Sequence, residues 1–468
     1  MAFNIVLLFI SILLYVFSPN TYSESFILSY LAIFIAGAWN LFRNRKESFN
    51  ILSFNVIFLL SFFFCIYSYA LFVIGAGVEF TMSIFSFTNW GYITRAVGLS
   101  TIAITIYYIA YSYQNKRKVK NTLYQNNSNT GKISTVSKIM TLLFLAVIAN
   151  FFYYIFIAGG ESSAVTSAAF LPELYKEFLI LYLLLNSISY NNEKGYNLLA
   201  IIRHNRTAVI EAVIVCLIYI IGGDRGLPIS IVFIFLGVYS FFYLRIKLVQ
   251  FAVIASAGVV VLFALRVTRG SDNSLSEGGV YAVATSTQEA LAGQSAILMF
   301  SDLMSTSSEM CLGYEYVQTK GLATPGKIIL VPFQPFPFIP TIVGKLFFGK
   351  TPLELSASSV ISNFVDDSYG YASCNGNHIV IDVYIHWGII GVFIIFFLFG
   401  RFICYVERNK YSSLFAASIF LVVLSYALYL PRDSIFTLLR PICFLWFFIH
   451  ILKLNNSHIY EKRVNRWG

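Results

Sequence analysis

Charged residues are scarce in this chain of 468 residues: they make up 12% of it, against about 25% in soluble globular proteins. Hydrophobic residues make up 58%, which excludes a soluble globular domain and predicts a protein that crosses a membrane many times. A net charge of +10 would suggest nucleic-acid binding in a soluble chain, but no basic surface interleaved with aromatic residues is present. We therefore expect no nucleic-acid partner.

Metal-binding patterns are also missing. The six cysteines form no CxxC or CxxH pair, and four of them lie inside apolar runs: Cys65, Cys216, Cys404 and Cys443. We expect neither a metal nor a cofactor.

A cleavage site is missing after the first apolar run, residues 3–18, and no positive charge precedes that run. It is predicted to be a retained helix, not a signal peptide. Eleven further runs have the length of a membrane helix, roughly 17 to 25 residues. They are residues 26–42, 51–75, 96–113, 138–158, 173–190, 207–222, 227–244, 248–267, 380–400, 411–430 and 434–453. The predicted fold class is an all-α polytopic membrane protein with about twelve transmembrane helices.

The basic residues of the short loops predict the orientation, because Lys and Arg near span ends stay on the cytoplasmic side. With the N-terminus inside, the basic loops all fall inside: Arg43, Arg45 and Lys46; residues 114–120; Arg203 and Arg206; Arg245 and Lys247; Arg401, Arg408 and Lys410; Lys453, Lys462, Arg463 and Arg466. Both termini are then cytoplasmic. Helices one to nine occupy residues 1–267, a large periplasmic loop 268–379, helices ten to twelve 380–453, and a cytoplasmic tail 454–468.

Two segments of the large loop, residues 290–304 and 338–350, have helical hydrophobic spacing and are predicted to be short amphipathic helices on the membrane surface. The segment VPFQPFPFIP, residues 331–340, is rich in proline and aromatic residues. It suits either a rigid platform for sugar rings or an interfacial anchor. Cys311 and Cys374 also fall in this loop, where disulfides persist. A bridge between them would close a loop of about 60 residues. Two unpaired thiols are the alternative.

Arginines recur at the predicted outer face. Two short outer turns, GGDRG at 222–226 and PRD at 431–433, each place an Arg beside an Asp. The candidates for binding a diphosphate are Arg225, Arg266, Arg269, Arg432 and Arg440, with Asp224 and Asp433 as supporting acids. Guanidinium groups bind phosphate oxygens in pairs and keep their charge. The alternative is a tight turn in which each Arg and Asp satisfy each other.

The run HIVIDVYIHWGIIG begins where the chain re-enters the membrane. On a helix, His378, Asp382 and His386 would share one face, with the outer two too far apart for a single metal, roughly 12 Å. His378 with Asp382 one turn away predicts an acid-base pair in which the carboxylate orients the imidazole. Polar residues at an interfacial helix end are the alternative. Glu211 is interpreted as the one acid well inside a span, either functional or part of a helix contact.

The chain resembles the O-antigen polymerases (Wzy-type) and the related O-antigen ligases. The resemblance covers about residues 205–395 and rests on Arg225 in GGDRGLPIS, Arg269 in VTRGSDN, and His378 with Gly388 and Gly391. Ligase-like relatives tend to carry Asn directly after the His, where this chain has Ile379, which favours a polymerase.

The resemblance implies a metal-independent, inverting glycosyl transfer at the periplasmic side of a bacterial inner membrane. An oligosaccharide carried on undecaprenyl diphosphate would be the donor, and a second lipid-linked unit would be the acceptor. A chain-length regulator would be a candidate protein partner. The arginines would hold the diphosphate and His378, Asp382 or another outer acid (Asp224, Asp272 or Asp433) would take the proton. A ligase and a lipid-linked sugar flippase stay open as alternatives; a lipid-phosphate-dependent transferase would show paired acids in its first outer loop, which has Glu24 alone.

Overall fold

The structure is a computed structural model of the chain. It describes residues 1–43, 52–76, 91–113, 130–156, 170–189, 202–221, 226–242, 306–334, 336, 338–369 and 377–454. These residues form helices and connections, with no β-strand among them. The predicted ninth span, 248–267, and the predicted amphipathic helix 290–304 lie outside the described residues.

Each of the other eleven predicted spans overlaps a described helix. In chain order the described helices are α1 (Ala2–Phe17), α2 (Glu24–Arg43), α3 (Phe54–Ala76), α4 (Ile93–Ser112), α5 (Thr130–Phe156), α6 (Phe170–Ser189), α7 (Arg206–Ile221), α8 (Gly226–Phe242), α9 (Thr306–Lys320), α10 (Gly326–Leu330), α11 (Ile339–Phe348), α12 (Ala357–Tyr369), α13 (Ile379–Asn409), α14 (Leu414–Tyr426) and α15 (Leu439–Ile451). Five of them, α2, α3, α4, α5 and α13, are long and apolar enough to cross a membrane by length and composition.

Helix α4 lies at the centre of the bundle, since nearly every side chain from residue 93 to residue 111 is buried. Helices α1, α2, α9 and α13 pack against it. Small residues permit the close approach that membrane helices use for packing. A Cβ atom at Gly400 of α13, for example, would lie only 2.8 Å from the carbonyl oxygen of Tyr107. The centre of the fold is therefore the α4–α13 contact, and α13 carries the candidate site.

Helix α9 belongs to the predicted large outer loop, yet its first half is buried in the bundle. Residues 306–314 pack against α3, α4 and α13. The hydroxyl of Ser307 donates to the backbone carbonyl of Cys65 at 2.6 Å, and a Cβ atom at Gly313 would lie 2.1 Å from Ile381. This part of the loop therefore supports α13 from the side instead of lying on the surface.

Helix α11 is the second amphipathic helix expected from the sequence at 338–350. Its apolar side chains face outward: Ile342, Leu346 and Phe347 are each more than 60% exposed. Phe338 precedes the helix with a φ of 65° and is also exposed. Such an uncovered apolar face is what a helix lying on a bilayer surface presents to lipid.

Helix α13 is broken once, at Gly388, whose backbone has φ 62° and ψ −160°. This region of conformational space is essentially restricted to glycine. A Cβ atom at Gly391 would lie 2.3 Å from the Cβ of Trp387, so the second glycine removes a clash beside the break. The two glycines of WGIIG thus divide α13 into a short first segment, residues 379–387, and a longer apolar segment that follows.

The connection in the last predicted hairpin is longer than the sequence indicates, because both helices are shorter than the predicted spans 411–430 and 434–453. Helices α14 and α15 have 13 residues each. Between them the chain forms two short 3₁₀ helices, Leu430–Arg432 and Ile435–Leu438. Pro431 lacks a backbone N–H to continue α14, which favours this ending. The PRD turn lies in this connection and contacts α3 and α13.

Candidate functional site

His378 is the N-cap of α13. Its Nδ1 accepts hydrogen bonds from the backbone N–H groups of Val380 (3.3 Å) and Ile381 (3.4 Å), and its side chain is fully buried. Because Nδ1 accepts, the neutral ring carries its proton on Nε2. Among the described residues, this Nε2 has no hydrogen-bond partner. Burial lowers the pKa of His378 to about 3, so the ring is neutral near pH 7.

Asp382 connects α13 to the PRD turn. One of its carboxylate oxygens accepts a hydrogen bond from the Ser434 hydroxyl at 2.6 Å, and the other accepts from the side-chain amide of Asn377 at 3.1 Å. The backbone N–H of Ser434 in turn donates to the carboxylate of Asp433 at 2.7 Å. Asp382 is almost fully buried, so these polar partners offset the loss of water around its charge. The carboxylate of Asp382 thus holds together two segments whose bonded residues, Asp382 and Ser434, are 52 positions apart in the sequence.

The predicted acid-base pair is not formed in the expected way. The sequence interpretation placed His378 and Asp382 on one helical face, but His378 has an extended backbone (φ −133°, ψ 125°) because it caps the helix. Its Nδ1 is used by that cap, and Asp382 does not bond to the ring. His386 points elsewhere, with its Nδ1 3.1 Å from the carbonyl oxygen of Thr324. The three residues therefore have three different surroundings.

Two of the five candidate arginines are described, and they differ. Arg432 lies in the PRD turn and is half-buried, and its guanidinium forms no hydrogen bond or ion pair with any residue that the structure describes. Arg440 is engaged: its Nη1 lies 3.4 Å from a carboxylate oxygen of Glu173, and its Nε donates to the carbonyl of Gln334 at 3.2 Å. Of these two described arginines, Arg432 is consequently the one with binding capacity left for a ligand.

Several site residues predicted from the sequence lie outside the described residues: Arg225, Arg266, Arg269, Asp224, Asp272 and Cys374. Cys311 is described as a free, fully buried thiol on α9. Because Cys374 lies outside the described residues, the bridge between Cys311 and Cys374 stays a prediction, with two unpaired thiols as the alternative.

The sequence predicts that Glu211 is the one acid well inside a span. This is wrong, because Glu177 is buried inside another predicted span. The carboxylate of Glu211 accepts a hydrogen bond from Thr141 at 2.7 Å, which makes it part of a contact between α5 and α7. Glu177 of α6 is also buried, beside the buried Lys176. The sequence did carry a signal for this second acid, because Glu173, Lys176 and Glu177 lie within five consecutive residues at the start of a predicted span. Ser434 and Asn377 had no comparable signal, because only the fold brings them to Asp382.

No protein-family model, curated protein or solved structure matches the chain.

Proposed function

We propose that this chain polymerises lipid-linked sugars. It would transfer an oligosaccharide from undecaprenyl diphosphate to the terminal sugar of a second lipid-linked repeat unit, at the periplasmic face of a bacterial inner membrane. The observation that carries the proposal is the hydrogen bond between Ser434 and Asp382. It holds the turn with the unengaged Arg432 against the helix that follows the large loop. A guanidinium for the diphosphate and outer carboxylates for the proton are what such a transfer requires.

In this reaction the acceptor hydroxyl attacks the anomeric carbon of the donor sugar, and the bond from that carbon to the diphosphate breaks. Arg432 stabilises the charge on the departing diphosphate, together with Arg225, Arg266 and Arg269 as expected from the sequence. The hydroxyl proton passes to Asp382 or Asp433. His378 acts as a hydrogen-bond donor with a neutral ring, because Nε2, the ring nitrogen that faces away from the helix cap, carries hydrogen. The diphosphate is already an activated leaving group, so we expect no cofactor.

Contacts across the bundle support the proposed alternation of the spans, and the basic residues of the short loops support the cytoplasmic placement of both termini. Ends predicted to lie outside meet one another: Arg95 donates to the carbonyl of Ser18, and Arg440 to that of Gln334. Ends predicted to lie inside also meet. Arg401 donates to the carbonyl of Tyr113, and Lys132 to that of Lys453. An alternating arrangement of spans requires this pairing of ends.

Reporter fusions test the orientation. We expect a fusion at Asn127 to report the cytoplasm and one at Ser276 to report the periplasm, because the positively charged loops stay inside. At each site the measurement uses two reporters, one that is active only in the cytoplasm and one that is active only in the periplasm. A cytoplasmic signal at Ser276 would contradict the whole arrangement.

Deletion of the gene tests the function. We expect the deletion strain to carry single repeat units on the lipid core instead of long chains, since addition of the first unit does not require polymerisation. Gel analysis of extracted lipopolysaccharide separates the outcomes. Loss of all attached sugar would indicate a ligase, and accumulation of lipid-linked units on the cytoplasmic side would indicate a flippase. Chains of normal length would rule the proposal out.

A further inference from the structure

An apolar cavity of about 320 Å³ lies between α5, α6 and α15, and no part of the proposed transfer step uses it. Every side chain that lines it is apolar, including Ile139 and Leu143 of α5. Two of the lining rings, Phe178 of α6 and Phe448 of α15, are in contact, with their centroids 4.7 Å apart. Ile451 of α15 also lines the cavity, and 58% of it is exposed. The cavity therefore opens at the surface of the bundle.

The surface around this opening is suited to lipid. Helix α5 is long and apolar enough to cross a membrane, and most of its side chains are not buried. Leu142 of α5 and Trp446 of α15 are more than half exposed. The bilayer core offers no water to fill such a cavity, and an empty cavity would leave its lining without dispersion contacts. A hydrocarbon chain of a lipid is thus the natural occupant. At roughly 30 Å³ for a group of water size, the cavity holds about ten methylene groups.

One end of the cavity is basic. Lys132 precedes the lining residue Ile139 by two helical turns on α5, so it shares the same face about 10 Å nearer the start of the helix. The ammonium of Lys132 donates to the backbone carbonyl of Lys453 at 2.5 Å, and Lys453 directly follows the lining residue Leu452. The exposed Lys138 directly precedes Ile139. Three lysines are thus placed at or beside this end.

Among the described residues, no acid is placed to neutralise this end. Helices α5 and α15 contain no Asp or Glu. Glu211 of α7 bonds to Thr141, which is two residues after Ile139 and therefore faces another side of α5. The acids of α6 belong to the opposite end of α15, where Arg440 contacts Glu173. The cavity consequently combines an apolar wall with a positive charge at one end, which matches the chain and the phosphate of an anionic lipid.

We propose that this cavity binds one acyl chain of an anionic phospholipid, whose phosphate is held by Lys132, Lys138 and Lys453. Basic pockets between membrane helices on the cytoplasmic side are known to bind such headgroups. The lysine end is cytoplasmic in the proposed orientation, whereas the diphosphate of the sugar carrier is bound at the opposite face. The occupant is therefore a phospholipid of the cytoplasmic leaflet and not the carrier. Only the choice of leaflet rests on the proposed orientation; the binding of an anionic lipid rests on the cavity and its lysines.

The test uses the full chain in detergent micelles, with lipids added at known concentrations and the bound lipid measured by native mass spectrometry. The probes are phosphatidylglycerol and phosphatidylcholine with the same acyl chains, and undecaprenyl phosphate. We expect phosphatidylglycerol to bind about tenfold more tightly than phosphatidylcholine. Lys132→Gln combined with Lys453→Gln should weaken phosphatidylglycerol binding about tenfold, because each lysine near a headgroup contributes up to about fivefold. Lys320→Gln combined with Lys345→Gln is the matched control, since these exposed lysines of α9 and α11 are on helices that do not line the cavity.

A second pair of variants tests the cavity itself. Leu143→Trp places a larger side chain in the cavity and should weaken binding of both phospholipids about tenfold, the effect of displacing about two methylene groups. Leu142→Trp is its control, because Leu142 is the neighbouring residue, does not line the cavity and is 67% exposed. It should leave both affinities unchanged. Ile139→Phe gives the same test if Leu143→Trp lowers the amount of folded protein.

Three results would overturn the proposal: equal affinities of the wild type for the two phospholipids, an equal loss in the two pairs of lysine variants, or unchanged binding in both cavity-filling variants. Tighter binding of undecaprenyl phosphate than of phosphatidylglycerol, removed by Leu143→Trp, would also overturn it, since the cavity would then hold the carrier lipid. The measured quantity is lipid binding, so the result does not depend on whether the chain polymerises sugars.

Discussion

Replacement of His378 by alanine is expected to lower the rate of chain extension about 10²- to 10³-fold, and replacement by asparagine is expected to restore the stability of the fold without restoring activity. His378 has two separable features: Nδ1 caps α13, and Nε2 carries a hydrogen that no described residue accepts. Asparagine is among the best N-cap residues, so it can replace the first feature, but its short side chain cannot replace the second. The pair of variants therefore separates the structural role from the chemical one.

The expected magnitudes differ by variant. Loss of the cap in His378→Ala should cost about 0.5–2 kcal/mol of stability, which His378→Asn should largely recover. Loss of the Nε2 donor should lower the rate of chain extension about 10²- to 10³-fold in both variants. Binding of the lipid-linked donor should stay nearly intact, because the interaction is made mainly in the transition state. Chain length in complemented cells and thermal melting of the purified protein measure the two effects.

The dependence of activity on pH gives a control for the role of His378 as a neutral hydrogen-bond donor. Burial lowers the pKa of His378 to about 3, so the folded protein keeps the ring neutral between about pH 5 and pH 8. We expect no decrease of activity in that range from protonation of this ring. Wild-type activity in His378→Asn would show that the residue is only a cap, and the hydrogen-bond donor would then have to be sought elsewhere.

Hydropathy predicted most helices of this fold, because a membrane span needs only an apolar run of sufficient length. It missed α9, whose composition is polar on average, since that helix is buried by contacts with α3, α4 and α13 rather than by its own hydrophobicity. It also gave no sign that Gly388 divides α13. Glycine is the usual sequence sign of a backbone with positive φ, but most glycines do not adopt it.

The candidate site was predictable as a set of residue types but not as a set of contacts. His378 and Asp382 were found from their spacing, which assumed that both were helical. The N-cap conformation of His378 invalidates that assumption, and Asp382 bonds to Ser434 and Asn377 instead. Likewise, Arg432 and Arg440 look equivalent in the sequence, whereas only Arg440 has a carboxylate partner among the described residues. Long-range pairing decides which charged groups are left for a ligand.

Replacement of Arg432 by lysine is expected to lower the rate of chain extension about 10- to 100-fold at unchanged protein abundance. Lysine keeps the positive charge but loses the planar fork that binds two phosphate oxygens at once. A charge-assisted hydrogen bond contributes about 1.5–3 kcal/mol, which corresponds to that range of rates. The same loss is expected for Arg225→Lys and Arg269→Lys, the two arginines on which the resemblance rests. Chain-length distributions in complemented deletion strains provide the measurement.

Arg401→Lys is the matched control for this series. Arg401 lies at the end of α13 that is predicted to be cytoplasmic, where it donates to the carbonyl of Tyr113 and lies over its ring. A lysine can keep a single bond to a carbonyl oxygen, so activity should stay near the wild-type level. If Arg432→Lys also extended chains at the wild-type rate, recognition by a paired guanidinium contact would be excluded at this turn. The bond from Ser434 to Asp382 would then serve to hold the hairpin in place, and the diphosphate would have to be bound by arginines of the large loop and of the 222–226 turn.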